Sequence, residues 1–189
     1  MHTKRIALVV GFAVVVGVFF ARQSCSTVGG TAHQNVHYVE QIGLLNYINV
    51  HLGVKKHLIV NGKRYEDVIG LKPYYLDVPQ LSSILFVTRN GKDSVCHIVN
   101  LQNGEDLSVV YNWIDFGSDI GAGQPLNGTR VEAATTNEIV LADTHPNAKE
   151  VIRIDLEQRR VVLDEVLYLD SSGTITDRFV MFPERQGKR

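Results

Sequence analysis

The chain contains little cysteine, with only Cys25 and Cys96 in 189 residues. This number excludes the class of small exported domains that are held together by several disulfides. Cys96 stands in an apolar run with the pattern of a strand, where a thiol usually packs as a small hydrophobic group. The sequence therefore predicts a fold that depends on its hydrophobic core, without a disulfide, a metal or a cofactor.

The chain also lacks an excess of positive charge, since 19 basic residues stand against 20 acidic residues. Lys4, Arg5 and Arg22 lie in or beside an N-terminal apolar segment that has no acidic residue. Without these three, 16 basic residues remain against 20 acidic residues, a net charge of −4. Because an acidic domain does not attract phosphate backbones, we predict no nucleic-acid partner.

The motifs of common enzymes are missing: the sequence has no GxSxG elbow, no CxxC pair and no HExxH zinc motif. His33 and His37 have the spacing of two zinc ligands on a helix, but no further ligand completes the set. Asp164 and Glu165 are adjacent in a predicted strand, so their carboxylates point to opposite faces. The sequence favours a protein without enzymatic activity and predicts no catalytic residue and no metal ligand.

The N-terminus has the pattern of an export signal. Two basic residues precede an apolar run of 16 residues, Ile6 to Ala21. As a helix this run spans about 24 Å against a hydrocarbon core of about 30 Å, so its length fits a cleaved signal peptide and a retained anchor alike. We expect a signal peptide or signal anchor at residues 1–26, a spacer at 27–36, and one extracytoplasmic β domain at 37–189. The protein is then periplasmic, in the cell envelope or secreted, or it is single-pass, held in the membrane by Ile6 to Ala21 with its N-terminus in the cytoplasm.

Cys25 is not expected to carry a lipid anchor. Arg22 stands three residues before the thiol, where a lipoprotein peptidase needs an apolar side chain at the bilayer boundary, and a charge there is costly to bury. Intact-mass measurement of the protein from its native membrane fraction checks this prediction. An unprocessed N-terminus indicates an anchor, and a chain that begins near Thr27 or His33 indicates release. A chain that begins at Cys25 with an added diacylglycerol mass would overturn the prediction.

Beyond residue 53 the sequence predicts short strands joined by tight turns. Asn-Gly pairs supply the positive backbone angles of type I′ hairpins, and they occur at residues 61–62, 90–91, 103–104 and 127–128. Two of them divide residues 82–113 into a three-stranded antiparallel meander. Alternation along the middle strand defines two faces: Val95, His97, Val99 and Leu101 on one, and Cys96, Ile98 and Asn100 on the other. Four further strands, between residues 137 and 182, are predicted to be antiparallel because their connections are too short for parallel crossovers.

Residues 38–52 have apolar side chains at helical spacing, which predicts a short helix at about 38–47. The predicted fold class is mainly β, with antiparallel meanders that form a two-sheet sandwich or propeller-blade-like sheets. One N-terminal export or transmembrane helix and the short helix at about 38–47 complete it. A closed propeller needs at least four blades, so the sandwich is favoured.

The longest predicted loop, residues 115–128, is rich in glycine and lies between the two sets of strands. Loops between rigid sheets often carry binding sites. The candidate ligand-binding residues are therefore Trp113, Asp115, Phe116 and Asp119. The spacing of the two carboxylates fits neither an EF-hand nor a phosphate-binding loop. Packing of the two aromatic residues into the core is the alternative.

These observations favour an exported, non-enzymatic envelope protein, tethered to the membrane if its leader is retained. Its β domain is expected to bind a partner protein or a surface polymer. Two alternatives stay open. One is a small extracytoplasmic hydrolase with acids from the 115–119 loop and His97 or His145, which a deep polar pocket at the loop would favour. The other is an accessory subunit of a membrane complex.

Overall fold

The computed structural model describes residues 24–43, 54–70, 72–91, 93–113, 116 and 128–181. These residues form strands and one short 3-10 helix at Pro79–Leu81. The strands, in chain order, are β1 (Ser24–Gly30), β2 (Val36–Gly43), β3 (Lys55–Val60), β4 (Lys63–Tyr65), β5 (Val68–Ile69), β6 (Leu76–Val78), β7 (Ser83–Asn90), β8 (Asp93–Asn100), β9 (Asp106–Tyr111), β10 (Arg130–Ala134), β11 (Glu138–His145), β12 (Ala148–Asp155), β13 (Arg160–Leu169) and β14 (Ile175–Val180).

The described strands pair into three antiparallel sheets. Sheet A has the order β1-β2-β3-β4, and sheet C has the order β10-β11-β12-β13-β14. Sheet B has the order β5-β7-β8-β9, and β6 also pairs with β7. The mainly β, antiparallel class is thus confirmed. The described residues form three sheets rather than the two of the predicted sandwich, because residues 36–78 also contribute strands.

Sheet B is the middle layer of the stack. Its side chains on one face pack with those of sheet C in a core that includes Leu85, Cys96, Ile98, Val109, Ile139, Leu141, Ile152 and Ile154. On its other face, a second core shared with sheet A includes Val36, Leu58, Val60, Tyr65, Ile84, Phe86 and Val99. Every residue of β7 from Ser83 to Thr88 is buried. This continuous burial is typical of a strand that is covered on both faces.

The predicted meander is confirmed, since β8 pairs antiparallel with both β7 and β9. The predicted faces also agree with the packing: Cys96 and Ile98 lie in the core shared with sheet C, and Val99 lies in the core shared with sheet A. The four strands predicted between residues 137 and 182 are β11 to β14, and each pairs antiparallel with the next.

The Asn-Gly turns agree with the prediction in part. Asn61 and Gly62 have φ angles of +50° and +79°, and they join β3 to β4 as a type I′ hairpin does. At the next turn Asn90 is still a strand residue, paired with Asp93.

The predicted turn at 103–104 is a longer loop, because the last ladder pair is Val99 with Asp106. Only its glycine, Gly104, has a positive φ. The side chain of Asn100 replaces the tight turn by accepting hydrogen bonds from the backbone of Gln102 and Asn103. Asn127 lies outside the described residues.

The prediction of a helix at about 38–47 is wrong for residues 38–43, because these residues belong to strand β2 (Val36–Gly43). Residues 44–47 lie outside the described residues. β2 pairs with β1 on one side and with β3 on the other. Its side chains alternate, with Val36 and Tyr38 toward the core shared with sheet B. Cross-strand pairing on both edges therefore decides the structure here, and the helical spacing of apolar residues is coincidental. Part of the predicted spacer, Thr27 to Gly30, lies in β1.

The predicted export segment, Ile6 to Ala21, lies outside the described residues. Within the ranges that are described, no helix combines the length and the hydropathy that crossing a membrane requires. The leader, its cleavage and its membrane contact therefore stay predictions.

Candidate functional site

A cavity of about 240 Å³ lies beside the middle of β7. It forms because β5 and β6 both pair with β7, near Val87 and Leu85 respectively, while the chain between them departs from the strand. The departing loop forms one wall, and residues of β7 and residues 128–129 complete the lining. We call this space the β7 cavity.

The walls of the β7 cavity are mainly apolar and aromatic, and they include Ile69, Tyr74, Tyr75, Leu76 and Phe86. Ligand pockets in proteins have this character, with a small number of polar groups that orient the ligand. A cavity of about 150 Å³ is enough to hold benzene. The β7 cavity is therefore large enough for one aromatic ring.

The loop wall is held in an unusual backbone conformation. Tyr74 has φ +72°, which costs a bulky residue about 1–3 kcal/mol and persists only where surrounding contacts impose it. Those contacts come from sheet A: the Tyr74 hydroxyl donates to the Glu40 carboxylate, and the Lys56 ammonium lies 5.1 Å from the ring centroid. Burial, helped by the Glu40 bond, raises the pKa of Tyr74, so the hydroxyl remains a donor. The wall is thus a preorganised part of the fold.

A buried carboxylate is bonded to one residue of the cavity lining. Thr129 lines the cavity, and its hydroxyl donates to Asp143 Oδ2 at 3.0 Å. The side chain of Asp143 is fully buried, and its Oδ1 has no hydrogen-bond partner in the described part of the chain. Burial raises the pKa of Asp143 against the opposing effects of the Thr129 hydroxyl and of the Thr144 backbone N–H, which both bond the carboxylate. The carboxylate is thus enclosed behind Thr129 and is not itself part of the cavity lining.

A separate cluster of polar side chains surrounds Asp106 on the face of sheet B that packs against sheet A. His97 Nδ1 lies 3.2 Å from Asp106 Oδ1, while Lys63 and Tyr65 each bond Oδ2 at 3.0 Å. Burial alone would raise the pKa of Asp106, but these hydrogen bonds outweigh it and lower the pKa to about 2. His97 Nε2 lies 3.0 Å from the Thr88 hydroxyl.

The order Thr88, His97, Asp106 resembles a nucleophile, base and acid. Thr88, however, is an inner strand residue that pairs with Val68 on one side and Val95 on the other. The next backbone amide, that of Arg89, donates to the carbonyl of Asp67. Because the described backbone around the Thr88 hydroxyl is already hydrogen-bonded within the sheet, these residues offer no oxyanion hole. The geometry favours a structural network that joins β4, β7, β8 and β9.

The structure places two of the four predicted ligand residues in the core. Trp113 and Phe116 are both fully buried, and Trp113 Nε1 donates to the Val109 carbonyl at 3.1 Å. Asp115 and Asp119 lie outside the described residues, so a ligand site at their loop stays a prediction. The β7 cavity was missed, although Gly128, at the end of that loop, lines it. The available signal was the Pro-Tyr-Tyr stretch at residues 73–75.

The structure does not bring either of the two residue pairs singled out in the sequence, His33 with His37 and Asp164 with Glu165, together at one site. His33 Nε2 contacts Asp77 at 2.5 Å, and His37 lies in strand β2 rather than in a helix. Tyr111 donates to Asp164, whereas Glu165 pairs with Arg178 at 3.0 Å on the opposite face. In the described ranges, no three His, Cys, Asp or Glu side chains are grouped to hold a metal ion.

The chain matches no protein-family model, no curated protein and no solved structure.

Proposed function

We propose that the protein is a non-enzymatic binding protein of the cell envelope, exported and membrane-tethered if Ile6 to Ala21 is retained. Its β domain binds a partner protein by taking an apolar side chain of that partner into the β7 cavity. The observation that carries this proposal is a preorganised apolar cavity, whose loop wall is fixed to sheet A through Tyr74, Glu40 and Lys56. Preorganised walls favour binding because they do not have to be ordered when the ligand enters.

The chemistry of the cavity favours a protein partner over a surface polymer. Sugar hydroxyls need several unused polar partners, whereas Lys72, the cationic residue of the lining, is engaged with Glu40 at 3.1 Å. A second cleft, of about 480 Å³, is lined by polar residues that include Gln80, Asn100 and Gln102. The Asn100 side chain already accepts a hydrogen bond from the Gln102 backbone and donates one to the Leu81 carbonyl. Because this polar group is already engaged, a surface polymer bound in this cleft is the second candidate, after a protein partner in the β7 cavity.

The two other hypotheses receive less support. A hydrolase was expected to show a deep polar pocket at the 115–119 loop, of which only Phe116 is described, so that expectation stays a prediction. The cluster of Thr88, His97 and Asp106 lies in a part of sheet B where Thr88 is paired with strands on both sides. An accessory subunit of a membrane complex depends on retention of the leader.

We also propose that the three sheets are propeller-blade-like layers rather than a two-sheet sandwich. The neighbouring strands of each sheet are mostly consecutive in the chain, and the sheets follow one another in the chain as A, B and C. Face-to-face packing on both sides of sheet B supports this arrangement.

A cavity-filling substitution tests the binding proposal. Toluene, an analogue of an apolar aromatic side chain, is expected to stabilise the wild type by about 1.4 kcal/mol at ten times its Kd, which differential scanning calorimetry detects as a rise in Tm. Leu76→Phe fills the cavity and should abolish that rise. Leu107→Phe is the matched control, because Leu107 is equally a partly buried leucine against the main core but lines the other cleft. Equal loss of the toluene effect in both variants, or no effect in the wild type, would contradict the proposal.

A further inference from the structure

We propose that Asn90 is a site of spontaneous covalent modification, at which the side-chain amide is converted to a carboxylate through a cyclic imide formed with the backbone nitrogen of Gly91. Water is the only other reactant. The same Asn-Gly pair occurs, with both of its residues described, at 61–62 and 103–104. All six residues are exposed, so access to water does not distinguish the three pairs. Their hydrogen bonds do.

The reaction needs an unrestrained side-chain amide and an unrestrained backbone nitrogen after it. The Gly91 nitrogen loses its proton and bonds to Cγ of Asn90, while the bond from Cγ to Nδ2 breaks and ammonia leaves with that proton. Water then opens the imide at either of its two C–N bonds, which gives an aspartate or an isoaspartate. Glycine favours the attack because it has no Cβ to obstruct its nitrogen.

Asn90 meets both conditions. It is the last residue of β7, and its backbone pairs with Asp93 across the turn. In the part of the chain that the structure describes, neither the Asn90 side chain nor the Gly91 N–H makes a hydrogen bond. Gly91, with φ +62°, begins the turn that follows the ladder. The attacking nitrogen and the carbon that it attacks are therefore adjacent, and no hydrogen bond holds them apart.

Asn103 differs because both groups are already bonded. The N–H of Gly104 donates to the Asn100 carbonyl at 2.9 Å. The side-chain oxygen of Asn103 accepts a hydrogen bond from the backbone N–H of Glu105, also at 2.9 Å. Attack by the Gly104 nitrogen would have to break both of these hydrogen bonds.

Asn61 is restrained through its side chain. Its Oδ1 accepts a hydrogen bond from the Asn35 amide, and its Nδ2 donates to the Asn100 carbonyl at 3.3 Å. Breaking one net hydrogen bond slows a reaction about fivefold. Asn61 and Asn103 should therefore both react more slowly than Asn90.

The modification would change the end of the hairpin that β7 and β8 form. An isoaspartate adds one methylene to the main chain, which does not fit the register that pairs Asn90 with Asp93. An aspartate places a second acidic residue opposite Asp93 in the ladder, and like charges at opposite positions are unfavourable. Either product therefore weakens the pairing at this end of the hairpin.

The experiment incubates the full chain at mildly alkaline pH and follows the three pairs by tandem mass spectrometry of peptides, which assigns each product to its residue. In the folded chain Asn90 is expected to react at least about fivefold faster than Asn61 and Asn103, and to give both aspartate and isoaspartate. In urea the three rates should become similar, because the restraining hydrogen bonds are gone. Asn35→Ala removes a bond to Asn61 and should accelerate that residue about fivefold without changing Asn90.

Similar rates at the three pairs in the folded chain, or a faster reaction at Asn61 or Asn103, would overturn the proposed site. A preference for Asn90 that persists unchanged in urea would also overturn it, since the local sequence and not the fold would then decide the rate. An aspartate product without isoaspartate would exclude the cyclic imide. If Asn35→Ala does not fold, the comparison of folded and unfolded wild type still decides.

Discussion

Trp113→Ala is expected to lower the free energy of unfolding by about 4 kcal/mol. Trp113 is fully buried among the residues that join sheets B and C, and its indole N–H bonds the Val109 carbonyl. Removing a large aromatic side chain from a core costs about 3–5 kcal/mol, because it loses transfer free energy and leaves a cavity. Urea unfolding at constant m value measures the change.

Val110→Ala is the control for this substitution, because Val110 lies close by in β9 but is 62% exposed. Its stability is expected to change by less than about 0.5 kcal/mol. A loss below about 1 kcal/mol for Trp113→Ala would contradict the core role of Trp113. That result would favour the original hypothesis that Trp113 anchors a ligand at the loop.

Asp106→Asn is expected to cost about 2 kcal/mol at pH 7 and almost nothing at pH 2. The pKa of Asp106 is lowered to about 2 in the folded protein, against about 3.9 in an unfolded chain. A lowered folded-state pKa adds stability above the unfolded value, and this stability is lost as pH falls from about 4 to about 2. His97 and Tyr65 supply the less exposed bonds, and Lys63, with its side chain 61% exposed, contributes little.

Urea unfolding of the wild type and the variant at pH 7, 4 and 2 tests this pH dependence. The two stabilities should converge as the pH falls toward 2. Asp177→Asn, in the exposed strand β14, is the control and should follow the wild type throughout. A constant difference between wild type and Asp106→Asn from pH 7 to pH 2 would show that the carboxylate charge is not what stabilises the network.

The strands that sequence predicted best are those with strong local signals. In β7, β8 and β9, apolar and polar residues alternate between clear turn signals. The connections between β11, β12, β13 and β14 are too short for parallel crossovers, so these strands pair antiparallel with their neighbours in the chain. β2 was missed because its apolar residues also fit a helical period. Only its pairing with β1 and β3, which involves residues distant in sequence, makes it a strand.

The Pro-Tyr-Tyr stretch at residues 73–75 marked one wall of the β7 cavity, but the whole site could not be predicted, since its lining comes from residues 69–70, 72–76, 85–87 and 128–129, which no periodicity connects. Asp143 carried a local signal that was overlooked. In β11 it follows Ile139 and Leu141 at every second position, so alternation alone places a carboxylate on the apolar face. Burying a carboxylate is costly, and the Thr129 hydroxyl offsets part of that cost by donating to it.

The most direct test of the binding function is a methyl NMR titration of the wild type with toluene. Binding in the β7 cavity predicts shift changes concentrated on the methyl groups of Ile69, Leu76, Leu85 and Val87, which line it. The methyl groups of Leu81, Leu107 and Leu156, which line the polar cleft, should stay unchanged. Shifts confined to that second set, or no shifts at the solubility limit of toluene, would contradict the account.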